Sequence, residues 1–376
     1  MDNTLQHLNS PELNEQTLPG VYDFHVHIGE TIGGFELADN WQSFGRLAEL
    51  CGLECIGVFL TEAKDESLHN KLARMREAAK EFAGKVFWHL TPLLLDAKPI
   101  IELLSSDSDL KLYTTYREAG LYQSYEAIER LMKDLSSHKP RLLVHCEDDK
   151  IIAEHSERNP FLRPPDHCLR RPEIAEITAV EKLLDLSLSH KYPLHIVHVS
   201  CPQAALLIQE AKKEADYITC ETAPHYLLFN EDSLADPQGH RWLCSPPLRS
   251  ESSRGAMVEL LQDGIFDVIA SDHCAFSLGL KDHGILHPQQ TPMGIAGSGA
   301  LFTLLAEHLV GRGKLSMAQL FTLISHNPAK LMNMPTNASK YHWERLGAPN
   351  PVIPSLADTP NPWMDFWSHY ELRRKA

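Results

Sequence analysis

No apolar run in the 376-residue sequence approaches the roughly 18–20 residues that a helix needs to cross a bilayer. The polar start, MDNTLQHLNSPELNEQTLPG, has no apolar stretch of the kind a secretion signal requires. Positive charge is scarce. The chain has 35 Lys and Arg against 50 Asp and Glu, a net charge of −15 at pH 7, and no basic run, which argues against electrostatic binding of nucleic acid. The 8 cysteines are scattered and no C-x-x-C occurs; only Cys51 and Cys55 lie close together. A disulfide framework is therefore not indicated, and a reducing, cytoplasmic setting is expected. With 43% hydrophobic and 23% charged residues, wholesale disorder is excluded as well. What is present in excess is histidine, 21 residues, which calls for a location and a reason.

Short β-rich runs alternate with helical patterns over most of the chain. The runs fall at 20–28 (GVYDFHVHI), 53–60, 86–93, 109–115 (DLKLYTT), 141–146 (RLLVHC), 193–200 (PLHIVHVS), 217–222 and 266–271. Each is rich in Val, Ile, Leu or aromatics, as buried parallel strands are. Between them, segments such as HNKLARMREAAKEFAG and SYEAIERLMKDLSSH carry one apolar stripe at helical spacing. Eight β-then-α units predict an α/β fold, a (β/α)8 TIM barrel, over residues 19–334. Residues 1–18 read as a polar N-terminal arm. Residues 335–376 are punctuated by proline yet carry Trp343, Trp363 and Trp367. They read as an irregular tail that packs on the barrel or on a neighbouring subunit of a homo-oligomer.

In such a barrel the chemistry sits at the C-terminal ends of the strands. There the sequence places His25 and His27, Lys111, His145, His198 and Asp272. His25-Val26-His27 puts two imidazoles on one strand face, because side chains alternate with period two. Taken singly, a strand-end histidine is more often a hydrogen-bonded core or rim residue. A lone lysine is usually a solvated end, and an aspartate a helix cap. Taken together, these N and O donors at one end of five strands form a ligand set suited to zinc or a similar divalent ion. His195 lies three residues before His198, so alternation predicts that only one of the two points into the barrel mouth. His69, His138, His155, His240, His308 and His342 read as surface residues of helices, loops and the tail.

The segments LPGVYDFHVH, DLKLYTTY, LLVHCED, HIVHVSCPQA, ETAPHYLLFNED, CSPPLR, ASDHCAF, PMGIAGS and HNPAKL occur in order over residues 18–331. In this they resemble the cyclic amidohydrolases of the amidohydrolase superfamily: hydantoinases, dihydropyrimidinases, allantoinases and dihydroorotases. The resemblance implies two divalent metal ions, expected to be Zn2+. His25, His27 and Asp272 would hold one ion and His145 and His198 the other, with Lys111 as an N6-carboxylysine bridging the two. It implies Asp272 and Tyr116 as catalytic residues, and Tyr116, Ser245 and Met293 as contacts to a small cyclic amide, with neither nucleic acid nor membrane as a partner. Asp272 would pass a proton to the leaving nitrogen, and Tyr116, five residues after Lys111, would donate to the developing oxyanion.

Three departures stand out. Gly29 occupies the position of the arginine that holds the substrate carboxylate in dihydroorotases. Met293 stands where asparagine is usual. Most of the accessory β-sandwich of the family is lacking. Because the carboxylate anchor is missing, and CSPPLR, SDHCAF and the K-x-x-x-x-Y spacing are closer to hydantoinases and dihydropyrimidinases, hydantoin or dihydropyrimidine rings are the expected substrates. One alternative is a dihydroorotase in which Arg117, Arg249 or Lys64 replaces the missing arginine. Another is a catalytically silent homologue acting as a scaffold.

Overall fold

All eight β-rich runs form parallel strands in the computed structural model, which describes residues 19–335 and 341–374. The expected arm over 1–18 lies outside the described residues. The first seven strands are β1 (Val21–His27), β2 (Leu53–Thr61), β3 (Lys85–Thr91), β4 (Ser108–Tyr113), β5 (Leu142–His145), β6 (Leu194–Ile196) and β7 (Ile218–Thr222). The eighth run forms only β8 (Val268–Ile269), and a further short strand, β9 (His273–Cys274), follows just beyond it. β8 pairs with β7 through Val268↔Glu221, and β9 pairs with β1 through Val26↔His273. The ring thus closes through residues 270–272, and the architecture is the expected barrel.

The helices that cover the barrel begin where capping residues stop the strand-to-helix loops. α1 (Trp41–Cys51) starts at Asn40, which shares a capping box with Ser43, and buries Trp41, Phe44, Leu47 and Ala48 on one stripe. α2 (Leu68–Ala78), α3 (Ala97–Leu103), α4 (Tyr125–Asp134) and α5 (Asp149–Arg158) start at Ser67, Asp96, Ser124 and Asp148, whose side chains accept from backbone N–H groups of the first turn. A short α6 (Asp166–Arg170) and a long α7 (Glu173–His190) follow. Most of the apolar core lies between strands and helices. A smaller inner layer, including Tyr22, Phe24, Phe59, Phe87, Leu143 and Val197, fills the barrel axis. No helix among the described residues is long and apolar enough to cross a membrane.

The tail corrects the expectation of irregularity. Tyr341–Pro351 and Trp367–Arg374 are antiparallel strands, paired from Tyr341↔Arg374 to Pro351↔Trp367 with a register shift between Arg345 and Asn350. Their prolines, Pro349 and Pro351, sit at or beyond that shift, and a two-stranded ribbon has free edges where a missing N–H costs nothing. The ribbon docks on the barrel at Gly52, the left-handed C-cap of α1 (φ 72°), where a Cβ would come within 2.8 Å of Leu372. Between the strands, buried Trp363 donates its indole N–H to the carbonyl of Ala296 at 2.9 Å.

Candidate metal centre

His25, His27 and Asp272 meet at the C-terminal end of the barrel. One donor atom from each lies within 4.8 Å of the others. The Nε2 atoms of His25 and His27 face each other at 3.3 Å, and His25 Nε2 lies 3.1 Å from Asp272 Oδ1. β1 brings the histidines in by alternation. Asp272 arrives by leaving the strand, at φ 51°, a left-handed conformation that a non-glycine residue adopts only when its surroundings hold it there. The hold is visible one residue earlier. Buried Asp23 of β1 accepts from the backbone N–H of Ser271 at 2.9 Å and from the Ser271 hydroxyl, and it also accepts from Ser298 at 2.6 Å.

The second group lies across the mouth. The rings of His145 and His198 meet edge-on at 4.6 Å, and the His198 ring is 5.4 Å from that of His25. Buried Lys111 extends from β4 over Phe59, with Nζ 4.7 Å from the ring centroid; His25 and His27 lie against the same ring at 4.1 and 4.9 Å. Tyr116 packs on His145 at 5.0 Å, also from a left-handed residue, φ 65°. His198 is left-handed too, φ 39°, and stands beyond the end of β6. As expected, His198 lines the mouth and His195 does not, but not because His195 faces the other way. It also turns inward, edge-on to Phe24 at 5.0 Å, one layer deeper than His198, because alternation stops applying where the strand ends.

Carboxylates orient the imidazoles from behind. With Nδ1 protonated, His25 donates to Glu221 and presents Nε2. With Nε2 protonated, His145 donates to Glu147 Oε2 at 2.6 Å and presents Nδ1. A carboxylate on the far nitrogen of a metal-ligating histidine fixes its tautomer and raises its basicity. His27 has a near counterpart. Its Nδ1 and Glu30 Oε1 are both buried without a hydrogen-bond partner and stand 3.9 Å apart, while Lys71 holds the other Glu30 oxygen at 3.0 Å. Arg171 caps the Glu147 carboxylate and lies over the Tyr116 ring at 4.8 Å.

The electrostatics fit a cation. Burial holds His25, His27 and His198 below the ordinary imidazole range and His145 at about 4, so all four keep free lone pairs. Burial and the Glu221 charge push the Asp272 carboxyl well up. Burial lowers the Lys111 amine to about 8. Glu147 is held at about 2, with Arg171 and His145 outweighing its burial. Neutral imidazoles beside a carboxylate that ionises reluctantly, with His198 Nδ1 buried and unpartnered, form a donor set that a divalent ion would satisfy.

These residues line a cavity of about 1640 Å³, which Ser245 and half-buried Met293 also line. The Ser245 hydroxyl lies 3.3 Å from His167 Nε2. His273 is fixed between Asp39 at 3.0 Å and the N–H groups of Gly297 and Ser298. His240 is buried against Asp282 at 2.8 Å rather than on the surface. Glu221, Glu147, Arg171, Glu30 and Phe59 went unnoticed in the sequence. The acids were nevertheless visible as charges inside the apolar strand-end segments HCED and ETAPHY.

The amidohydrolase family model matches residues 17–340, and the chain belongs to that family of hydrolases. It is 25% identical over 341 residues to the dihydroorotase of Brevibacillus brevis, covering 88% of this chain and 76% of that one. To the D-hydantoinase of Ralstonia pickettii it is 25% identical over 332 residues, covering 84% and 71%. Among solved structures, the dihydropyrimidinase of Brevibacillus agri NCHU1002 superposes with a TM-score of 0.85 at 25% identity, covering 94% of this chain and 82% of that one.

Proposed function

We propose that the chain is a metal-dependent hydrolase that opens a cyclic amide of the hydantoin or dihydropyrimidine type. The observation that carries the reading is the gathering of His25, His27 and Asp272 donors within 4.8 Å at the catalytic end of the barrel. His25, His27 and Asp272 would hold one divalent ion, and His145 and His198 a second; the N and O donors suit zinc. Such ions lower the pKa of water into the neutral range and polarise a carbonyl.

The protein's own groups do the rest. Asp272 accepts the proton of the attacking water and returns it to the leaving ring nitrogen. Tyr116 is kept protonated, its pKa pushed up to about 12 by burial, and donates to the developing oxyanion. Ser245 and the backbone at Met293 hold the ring amide. The Lys111 amine, lowered to about 8, is neutral often enough to add to CO2. Loss of its proton then leaves an N6-carboxylysine, which converts a buried cation into an oxygen ligand.

A dihydroorotase is the second reading, favoured by the similarity to the Brevibacillus brevis enzyme. Against it, Arg249 is committed to Glu176 at 3.0 Å and Ser200 at 2.9 Å, and Arg117 to Asp149 at 2.7 Å. Neither is free to stand in for the arginine absent at Gly29, which leaves exposed Lys64 on the cavity wall as the remaining candidate. The test is ring opening by the metal-loaded protein of hydantoin, dihydrouracil, allantoin, dihydroorotate and a simple cyclic imide. Turnover of hydantoin or dihydrouracil is expected. Turnover of dihydroorotate alone would install the second reading, and turnover of none would remove both.

A further inference from the structure

The cavity is larger than a bare five- or six-membered ring needs, and exceeds the roughly 300–1,000 Å³ common for small-ligand sites. The basic side chains on its wall are unequal. Lys71, Arg74, Arg117 and Arg171 each meet a carboxylate: Glu30, Glu66, Asp149 and Glu147. Among the described residues, exposed Lys64 on the same wall and Arg170, at the end of α6, meet none within ion-pair distance, and of the two only Arg170 is held by hydrogen bonds. Its Nη1 donates to the carbonyls of Ser156 at 3.0 Å and Asn159 at 2.8 Å, at the C-terminal end of α5, which fixes the guanidinium. Its Nε and Nη2 make no hydrogen bond among the described residues. The acid whose charge acts on it is Glu118, exposed on a loop that also lines the cavity and not in an ion pair with it. The side chain is half-buried, beside Arg171 and 5.7 Å from the Phe161 ring.

A fixed, partly desolvated guanidinium without a counter-ion is unfavourable by itself and well prepared for a carboxylate, which its planar fork binds through two parallel hydrogen bonds. Burial and the neighbouring Arg171 both lower its pKa, consistent with a charge that lacks compensation. A salt-bridged arginine at the same place would have had to give up its partner first. Ile152 and Phe161 line the same cavity as Arg170 and supply apolar surface for an arm.

From this the geometry points to Arg170 as a carboxylate subsite: the substrate is a cyclic amide whose exocyclic arm ends in a carboxylate. This rests on the cyclic-amide reading above and adds the class of ring substituent. It separates the substrate both from unsubstituted rings and from rings with only apolar arms.

The test is calorimetric binding of 5-(2-carboxyethyl)hydantoin and its neutral amide, 5-(2-carbamoylethyl)hydantoin, to the metal-loaded protein, with turnover of both followed in parallel. The acid is expected to bind at least about tenfold more tightly than the amide, with a preference that shrinks as salt is raised. In Arg170→Gln the acid-to-amide ratio should fall to near one, and in Arg170→Lys part of it should survive. Because the readout is a ratio, a variant with less folded protein does not mimic the effect. Equal affinity of the wild type for acid and amide, or a preference that persists in Arg170→Gln, overturns the subsite and leaves the cyclic-amide reading standing. Failure of both compounds to bind or to open while hydantoin or dihydrouracil is opened overturns the subsite alone; failure of every ring overturns the two together.

Discussion

The two sides of the candidate centre are built differently. On one side, His25 and His27 come from the regular alternation of β1, and only Asp272 needs an unusual backbone. On the other, His198 stands past the end of its strand in a left-handed conformation, and Tyr116, packed on His145, is left-handed as well. The first side is gathered tightly enough to be recognised as a ligand cluster, whereas His145 and His198 meet through their rings. His145 closes β5 and is oriented by Glu147 as His25 is by Glu221, so the sides differ in backbone rather than in support; Arg171, which caps Glu147, also packs on Tyr116. Lys111, resting on the Phe59 ring that also carries His25 and His27, ties the two sides together.

The largest effect is expected where the sides join. Lys111→Ala should strip metal from both and abolish activity, with recovery when a short carboxylic acid is supplied. Full activity without the added acid would separate the lysine from the centre. Tyr116→Phe should lower kcat by about 10²–10³-fold while metal content is retained, since it removes one oxyanion donor and no ligand. Metal loss in that variant would mean the tyrosine is structural.

The carboxylates test the asymmetry itself. Glu221→Gln should weaken the His25 side and Glu147→Gln the His145 side, each by about 10–100-fold in metal affinity. Competition with a chromogenic chelator would resolve the two steps. If both substitutions weakened the same step, the division into two sides would be wrong.

A separate effect, away from the ligands, is on stability against pH. Burial holds His167 and His225 at about 3 and His195 at about 4, against 6.5 for a free imidazole. Below pH 6.5 the unfolded chain therefore takes up protons that the fold refuses. Stability should fall as pH drops from about 6.5 toward 4, by on the order of 1 kcal/mol per pH unit for each histidine. Above pH 7 these groups contribute no slope. Urea midpoints at pH 7.5, 6 and 5 measure this, and a flat series would show that the three imidazoles are not neutral and buried as described.

The same contrast explains what could be read from the residues alone. Eight strands were legible because buried parallel strands are short, apolar and separated by amphipathic helices, and β1 was legible down to its paired histidines. His195 stays out of the mouth as expected, but by lying deeper rather than by facing away, because alternation was carried past Ile196, where the strand stops. The break at Asp272 was invisible for a related reason: nothing in Ala-Ser-Asp-His-Cys announces a left-handed aspartate, and the clip that enforces it, Asp23 on Ser271, lies 248 residues away in sequence. Glu221 and Glu147 looked like ordinary charges until the fold set them behind histidines. The tail was misread because proline was weighed as though every strand had two bonded neighbours, which a two-stranded ribbon lacks.

The central claim is that these six side chains hold metal on both sides of the mouth. Elemental analysis of the purified protein tests it most directly. The account predicts about two divalent ions per chain, falling to none in Lys111→Ala. Full ring-opening activity in protein stripped of metal by a chelator would contradict it.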